Sequence, residues 1–286
     1  MTLSACSLLL LLLALVSRGE AAGHWSYDRQ QEWPPACRDG KRQSPIDLPD
    51  ACGKDSKVQK KENLRLTPRH YDKELPVKRT KLENNGHTFE LSVTGFDKVD
   101  ATAPLITGSA AGDQRFQFTQ LHLHWSGGSE QGAEHTLAGR RPAMEVHLVH
   151  FNVKYKTIKD ATAKPDGLLV VGVFLTPAPS DNPSLAPIIE AVSKTHKKGA
   201  KADLTKGVKL KDLLPPSFAS RFYSYNGSLT TPPCSQSVTW IVAADKKTLG
   251  KQQLSEFQKT KGNFYRHTQK LNGRQIEFAG KCPGAG

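Results

Sequence analysis

Two short segments of the chain place histidines at spacings that could hold a metal ion. His122-Leu-His124 sets two imidazoles two residues apart, and residues at that spacing on a strand point to the same face. Two histidines alone are a weak metal signal, so a third ligand is needed. Glu145-Val-His147-Leu-Val-His150 offers two candidates on opposite faces of a second strand, and only one of them can join the first pair.

Neighbouring polar residues favour His147 as the third ligand. A ligating histidine usually donates its second ring N–H to an oxygen, which fixes the ring. Gln120 stands two residues before His122, and Glu145 two before His147, each on the face of its histidine. Three imidazoles without cysteine or carboxylate are typical of zinc, with the fourth position left to water. His150 is expected on the outer face, buried or partly exposed.

Short alternating runs predict the strands that would position these residues. Strands are expected over 88–93, 116–125, 145–151, 168–175, 238–243 and 275–279. Helical patterns are few, at 184–194 and 251–260, the second capped near Thr248. With no repeat and no domain linker, we expect one domain over residues 23–286, of the α+β class and mainly β, with a few surface helices.

Residues 1–22 are typical of a signal peptide. The apolar run of residues 8–16 is shorter than the roughly 20 residues that span a bilayer. Small residues follow at Gly19, Ala21 and Ala22, and cleavage could follow any of them. A buried N-terminal helix is the alternative interpretation. Because no other spanning run or hydrophobic tail follows, we expect a secreted protein with no membrane anchor.

The cysteines and the net charge agree with an exported protein. Cys6 would leave with the signal, and four cysteines remain, namely Cys37, Cys52, Cys234 and Cys282. This even number predicts two disulfides with three open connectivities. The formal net charge is +13, with much of the excess between Lys194 and Lys211. That segment is either a solvated face or a contact for anionic glycan, mineral or acidic matrix. No nucleic acid partner is expected, because no nucleic-acid-binding signature is present.

Six motifs stand in the order found in alpha-class carbonic anhydrases, which the chain therefore resembles. They are Gln43-Ser-Pro-Ile-Asp47, Asn84-Asn-Gly-His-Thr-Phe89, Gln120-Leu-His-Leu-His-Trp125, Glu134-His-Thr136, Glu145-Val-His-Leu-Val-His150 and Ser228-Leu-Thr-Thr-Pro-Pro233. The resemblance implies a large, twisted, mostly antiparallel sheet around a zinc site. It also implies reversible hydration of carbon dioxide to bicarbonate and a proton, with zinc-bound hydroxide attacking the carbon.

The resemblance implies roles for single residues as well. Thr230 would orient the attacking oxygen and give its own proton to Glu134. His87 would be the proton shuttle, with Asn85 and Tyr27 ordering the waters between. Taken alone, a histidine after Asn-Gly is an exposed turn residue, and Glu134-His-Thr is a polar turn.

The implied substrate site has a polar and an apolar part. Thr231 would line the bicarbonate site. An apolar wall would hold carbon dioxide, although its members would otherwise be assigned only to the core. The wall consists of Val149, Val170, Leu229 and Trp240.

The resemblance further implies a Cys37–Cys234 disulfide, and with it a Cys52–Cys282 pair, as well as cis peptides at 44–45 and 232–233. Two departures stand out. Glu90 occupies a position where many relatives carry a neutral amide, and it could alter water order or raise the pKa of His87. The segment 264–267 replaces an Asn and a Pro of the family, which is harmless if only a backbone carbonyl orients His124. Asn226-Gly-Ser is a glycosylation sequon.

Three alternative functions remain open on the sequence. The chain could be a zinc-less relative that acts as a binding or matrix protein. It could be an active enzyme whose main role lies in a mineralised matrix. It could also be a zinc hydrolase of esters, although no acyl pocket can be discerned in the sequence.

Overall fold

The structure, a computed structural model, describes residues 25–282 of the chain. The predicted signal peptide over 1–22, together with Cys6, lies outside the described residues. Short strands dominate the described part. They are β1 (Asp47–Leu48), β2 (Gln59–Lys60), β3 (Thr67–Arg69), β4 (Thr80–Asn84), β5 (Phe89–Val93), β6 (Leu105–Thr107), β7 (Phe116–His124), β8 (Thr136–Leu137), β9 (Met144–Asn152), β10 (Leu168–Ala178), β11 (Lys201–Asp203), β12 (Phe222–Gly227), β13 (Val238–Ala243), β14 (Lys247–Gly250) and β15 (Glu277–Ala279).

The helices are few and short. The α-helices are α1 (Pro35–Asp39), α2 (Ile158–Thr162), α3 (Ala186–Ser193), α4 (Leu210–Leu213) and α5 (Lys251–Gln258). Short 3₁₀ segments lie at Tyr27–Glu32, Val77–Arg79, Ser109–Ala111, Val153–Tyr155 and Pro183–Leu185. None of the helices in the described part is both long and apolar enough to cross a membrane.

The prediction of helices at 184–194 and 251–260 is confirmed by α3 and α5, but the predicted cap was wrong. Thr248 lies within strand β14, where it pairs with β10. Helix α5 begins after Gly250, whose N–H donates to Oε1 of Gln253 at 2.9 Å. The side chain of the third helical residue therefore caps this end, since the glycine has no side-chain oxygen of its own.

One large mixed sheet organises the molecule. Its strands run in the order β11-β4-β5-β7-β9-β10-β13-β12-β15-β2, with β14 beside β10, β6 beside β7, and β3 beside β6. Most neighbours are antiparallel, as predicted, but β10 pairs with β13 and β14 in parallel. The apolar run of residues 168–175 forms β10, which lies between two strands and is buried on both faces, as a continuous apolar strand should be.

Strand β9, and strand β7 after the bulge between Phe118 and Gln120, alternate between two environments. Leu121 and Leu123 of β7, with Val146 and Leu148 of β9, belong to the larger apolar cluster on one face. Val149 and the other odd-numbered positions of β9 turn to the opposite face, toward a second apolar cluster. The period of two thus carries the histidines at even positions of β7 and at position 147 of β9 to one common face.

Two disulfides tie the ends of the chain to the sheet. Cys37 bonds to Cys234, and Cys52 bonds to Cys282, so both predicted pairs are confirmed. The peptides Ser44–Pro45 and Pro232–Pro233 are cis, as the family resemblance predicts. Each disulfide joins residues about 200 or more positions apart in sequence, so the N-terminal segment is fixed against the loops near the C-terminus.

Candidate metal centre

Three histidine rings from two adjacent strands converge on one point. Strand β9 carries His147 directly opposite His122 of β7 in the antiparallel register. The Nε2 atom of His124 lies 3.1 Å from Nδ1 of His147. The Nε2 atom of His122 lies 3.3 Å from the same Nδ1. These atoms are close enough to bind a single metal ion.

The remaining ring nitrogen of each histidine meets an oxygen. The pairs are His122 Nδ1 with Gln120 Oε1 at 2.9 Å, His124 Nδ1 with the Phe264 carbonyl oxygen at 2.8 Å, and His147 Nε2 with Glu145 Oε1 at 2.8 Å. These oxygens accept the ring N–H, so the converging nitrogens are left with lone pairs. Because Phe264 contributes only its backbone, the departure from the family at this position leaves the contact to His124 intact.

Burial keeps two of these rings neutral, which is the form that binds metals. The pKa values of His122 and His124 lie well below the usual range, first because burial disfavours the imidazolium. The second cause is the like charge that a protonated His147 would add. The site is therefore poised to accept a cation without first losing protons.

The donor set fits zinc. Zinc–nitrogen bonds of about 2.0–2.1 Å at tetrahedral angles separate two ligand nitrogens by about 3.3 Å. The observed separations of 3.1 and 3.3 Å agree with that value. His122 is half-buried, whereas His124 and His147 are buried, so solvent has access to the centre past His122.

Glu145 holds together the residues behind His147. Its Oε1 accepts from His147 Nε2 and from Nδ1 of His135, at 2.8 and 2.7 Å. Its Oε2 accepts the backbone N–H groups of Glu134 and His135. Burial would raise the pKa of Glu145, but the hydrogen bonds from both histidines, and the positive charge that either of them would carry if protonated, hold it well below its usual range. Gly172 makes room, since a Cβ there would lie 2.8 Å from Oε1.

Glu134 is a second buried carboxyl beside the centre. Its Oε1 accepts the backbone N–H of Arg266 at 2.8 Å and lies 3.5 Å from Nδ1 of His124. Burial raises the pKa of Glu134 to about 7, against the opposing effects of His147, the Thr230 hydroxyl and the Arg266 N–H. The other oxygen, Oε2, is buried and has no hydrogen-bond partner among the described residues.

The predicted apolar wall lies next to His147. Val170 of β10 is directly opposite Val149 on one side and Trp240 on the other. All three are buried members of the second apolar cluster, and the partly buried Leu229 packs against it. The Trp240 ring stands 4.8 Å from the His147 ring, centroid to centroid. The wall and the metal centre are therefore contiguous.

The loop after β12 carries Thr230 and Thr231 to this region. Thr230 is buried, whereas Thr231 is half-buried. The carbonyl of Thr231 accepts the N–H of Cys234 at 2.9 Å. The Cys37–Cys234 disulfide thus restrains the loop within four residues of Thr230.

His87 lies on the turn between β4 and β5. Its backbone N–H donates to Oδ1 of Asn85 at 2.9 Å, so that amide oxygen is engaged in the turn. The ring is half-buried and stacks on Trp25 at 3.8 Å with a tilt of 13°. Tyr27 packs edge-on against the same tryptophan, and burial raises its pKa well above the usual range. The residues predicted to serve proton transfer, His87, Asn85 and Tyr27, therefore lie close together around Trp25 and the turn.

Glu90 lies on β5 directly opposite His122 of β7 and Glu83 of β4. Burial raises the pKa of Glu90, and the charge of Glu83 raises it further. Glu83 is in turn paired with Lys201 at 3.0 Å. A row of charged side chains therefore runs across the sheet from the metal centre to strand β11.

His150 lies apart from the centre, on the opposite face of β9. It is fully buried, with its Nε2 bonded to the Tyr71 hydroxyl and its Nδ1 3.2 Å from the Leu169 carbonyl oxygen. Burial lowers the pKa of His150 to about 3. The predicted place of His150 on the outer face is confirmed, and its partner there, the hydroxyl of Tyr71, comes from a distant segment.

Sequence reasoning gave no role to two residues that brace the site. His135 links Glu145 to the hydroxyl of Tyr225 through its Nε2 at 2.7 Å. The buried guanidinium of Arg266 donates to Gln43 and to the carbonyl of Ser44, and also to the carbonyl of Cys37. His135 adjoins Glu134 in sequence, which was a usable signal. The bonds of Arg266 span more than 220 residues, and no local pattern reveals them.

The fold and the site define a class of enzyme: a β-rich domain with a three-histidine centre, an apolar wall and buried carboxyls. The family model of eukaryotic-type carbonic anhydrase matches residues 22–280. Carbonic anhydrase 6 of Homo sapiens is 34% identical over 291 residues, covering 94% of this chain and 88% of that protein. Carbonic anhydrase 15 of Mus musculus is 32% identical over 267 residues, covering 87% and 77%. Putative carbonic anhydrase 5 of Caenorhabditis elegans is 35% identical over 289 residues, covering 95% and 87%.

The chain therefore belongs to the eukaryotic-type carbonic anhydrase family. That membership makes it an enzyme of the lyase class and supports the hydration of carbon dioxide as its reaction.

Proposed function

We propose that this chain uses zinc, held by His122, His124 and His147, to hydrate carbon dioxide reversibly to bicarbonate and a proton, with His87 as the proton shuttle. The observation that carries the proposal is the convergence of three lone-pair nitrogens beside an apolar wall. Zinc, when bound, supplies the acidity that ionises water near neutral pH, an effect for which carbonic anhydrases are themselves the standard example.

Thr230 and Glu134 orient the attacking oxygen. The Thr230 hydroxyl can accept a hydrogen bond from that oxygen only when its own proton points to another acceptor. We assign that role to Glu134, because its buried Oε2 has no other hydrogen-bond partner among the described residues and a hydrogen bond from this hydroxyl would lower its pKa. The Arg266 N–H fixes the carboxylate from the other side at 2.8 Å. The two residues thereby set the direction of attack.

The apolar wall binds the substrate by excluding water. Carbon dioxide offers little to hydrogen-bond, so the buried faces of Val149, Val170 and Trp240 suit it. Bicarbonate is anionic, and the half-buried Thr231 offers it a hydroxyl at the edge of that wall. Because bicarbonate is charged and the wall is apolar, the product is bound less well than carbon dioxide at the wall and leaves it.

His87 moves the released proton to buffer. An imidazole with an ordinary pKa near 6.5 can take a proton and return it at neutral pH. The Asn85 side chain fixes the backbone of the turn, and Tyr27 holds the stack beneath the ring through Trp25. Glu90 adds a carboxyl to this side of the centre, and we expect it to influence the waters there.

The proposal also covers the ends of the chain. Residues 1–22 are removed as a signal peptide, and residues 23–286 form a secreted, disulfide-bonded enzyme domain. The two disulfides support export, because such bonds persist mainly in oxidising compartments. Sequencing the N-terminus of the protein from the medium of secreting cells tests this part. Retention of the intact chain inside the cells would contradict it.

The decisive experiment combines metal analysis with stopped-flow hydration of carbon dioxide. We expect about one zinc per chain, and we expect the hydration rate to fall to that of buffer after chelation and to return with added zinc. A fully loaded protein that hydrates carbon dioxide no faster than buffer would refute the proposal and favour a binding or matrix role.

His87→Ala tests the shuttle separately, with His70→Asn as the control because His70 is exposed to solvent and precedes Tyr71, whose hydroxyl contacts His150 on the face away from the metal centre. In dilute buffer we expect His87→Ala to lose about 10- to 100-fold in turnover. Added imidazole should restore part of the rate, and the control should match the wild type. An unchanged rate in His87→Ala would assign proton export to another group.

A further inference from the structure

Exposed lysines recur along one segment of the chain, which includes the edge strand β11. The segment 194–211 holds seven lysines and one aspartate, a net charge of +6 within a chain total of +13. All seven are exposed. They follow the loop after α3, the edge strand β11 and the start of α4. We call this the lysine face: Lys194, Lys197, Lys198, Lys201, Lys206, Lys209 and Lys211.

Most of this charge has no counter-charge. Within the described residues, ion pairs engage only Lys194, with Glu190 at 2.8 Å, and Lys201, with Glu83 at 3.0 Å. The one aspartate of the segment, Asp203, is paired with Lys81 at 3.7 Å, outside the segment. The carboxyls of Glu74 and Asp212 also lie near the segment, without an ion pair to the face. Five lysines of the face therefore have no ion pair, although the charge of Glu190 also acts on Lys206.

The chemistry of the face restricts its partner. The apolar residues of the segment, Leu204, Val208 and Leu210, are buried, and it contains no arginine, tryptophan, tyrosine or phenylalanine. A folded protein partner would meet none of the aromatic or arginine anchors that dominate interfaces. Single-stranded nucleic acid would find no ring to stack on, and a bilayer would find no apolar side chain to insert. A hydrophilic, linear polyanion satisfies all these conditions.

The lysine face is joined to the turn that carries His87. The N–H of Gly199 donates to the carbonyl of Asn84 at 2.6 Å, and the Asn84 N–H donates to the carbonyl of Ala200 at 3.0 Å. The methylene stem of Lys198 covers Gly86, where a Cβ would lie 2.6 Å from Cε of the lysine. A ligand on Lys198 would thus lie beside residues 84–88.

We propose that the lysine face binds a linear sulfated polysaccharide, which passes beside the turn of His87. Sulfate esters keep their charge at every physiological pH, and a flexible chain can contact several lysines at once. Each lysine acts as a point charge and needs no fixed bidentate geometry, which suits a ligand of variable sulfation. The attraction arises from the edge of the sheet and does not depend on the metal centre.

The test compares two triple variants of equal charge. Lys197→Gln/Lys198→Gln/Lys206→Gln removes three lysines of the face that have no ion pair. Lys54→Gln/Lys57→Gln/Lys60→Gln removes three exposed lysines around β2, at the opposite end of the sheet. The probe is a heparin-derived decasaccharide, and its Kd is measured by calorimetry from low to physiological salt. Circular dichroism checks that both variants are folded.

We expect the face variant to bind at least tenfold more weakly and its slope of log Kd against log salt to fall by about 3, close to 0.9 per lost contact by analogy with polyanionic DNA. The control should keep the wild-type slope. In the wild type, the amide NMR signals of Gly86 and His87 should shift on binding.

Three results would overturn the proposal. Equal weakening of both variants would show that net charge alone attracts the probe. Unshifted signals at the His87 turn would place the ligand elsewhere. Equally tight binding of a DNA duplex or of phosphatidylserine vesicles through the same lysines would assign the face to that class of partner. Because each readout is a binding measurement, failure here is distinguishable from failure of the catalytic proposal.

Discussion

His147 and His150 stand three residues apart on strand β9, and both are buried. His147 faces two other imidazoles and a carboxylate. Because the carboxylate accepts the N–H of its Nε2, its Nδ1 keeps a lone pair that can bind a metal. His150 faces a phenol and a backbone carbonyl, which use both of its ring nitrogens. The side of the strand decides the function of each residue, because the period of two sends the residues into different surroundings.

The largest contrast is expected from His147→Ala and His150→Gln. Loss of a ligand leaves two imidazoles, so zinc affinity should fall by more than the roughly 10- to 100-fold typical of a lost outer partner. His150→Gln should keep one zinc per chain and full activity. Metal analysis after dialysis against a weak chelator, with stopped-flow hydration, measures both. Loss of zinc in His150→Gln would contradict the assignment of metal binding to the His147 face alone.

Gln120→Leu should lower zinc affinity less than removal of a ligand does. The change removes the oxygen that lies 2.9 Å from Nδ1 of His122 and leaves the ligand nitrogens in place. We expect zinc affinity to fall about 10- to 100-fold. Competition with a chelator of known affinity gives the value. An affinity equal to that of the wild type would mean that the strand alone orients His122.

On the opposite face of β9, replacing His150 should lower the free energy of unfolding. His150→Leu leaves the Tyr71 hydroxyl buried without its partner, and such a group costs about 1–3 kcal/mol. Urea unfolding of the zinc-loaded protein measures the free energy, and the double variant with Tyr71→Phe should recover part of it. If the double variant is no more stable than His150→Leu, the hydroxyl is not the cause.

The same histidine should make stability depend on pH. Its folded pKa of about 3 lies below the usual value near 6.5, so the unfolded chain binds the proton first. Its contribution is therefore fully present above pH 6.5 and is lost as pH falls toward 3, by up to about 1.4 kcal/mol per pH unit. The difference in unfolding free energy between wild type and His150→Gln should shrink between pH 7 and 5. A constant difference would mean that His150 is not held neutral.

The sequence predicted the strands of the site well because their apolar residues alternate or form an unbroken run. Strand β12 went unpredicted, since Ser224 and Tyr225 are polar yet buried. Their burial depends on tertiary hydrogen bonds, such as that from Tyr225 to the Ser44 hydroxyl at 2.9 Å, which joins residues 181 positions apart. The cap of α5 was misplaced for a related reason, because strand pairing with β10 holds Thr248.

The sequence by itself determined which residues share a face, because strand periodicity is local. It thereby grouped His122, His124 and His147 with Gln120 and Glu145, and through its motifs it indicated the family. Only the tertiary structure decided what those faces meet. The carbonyl of Phe264 on His124, the hydroxyl of Tyr71 on His150 and the loop of Lys198 on Gly86 join distant segments. Such contacts form only when the sheet closes distances that the chain order leaves open.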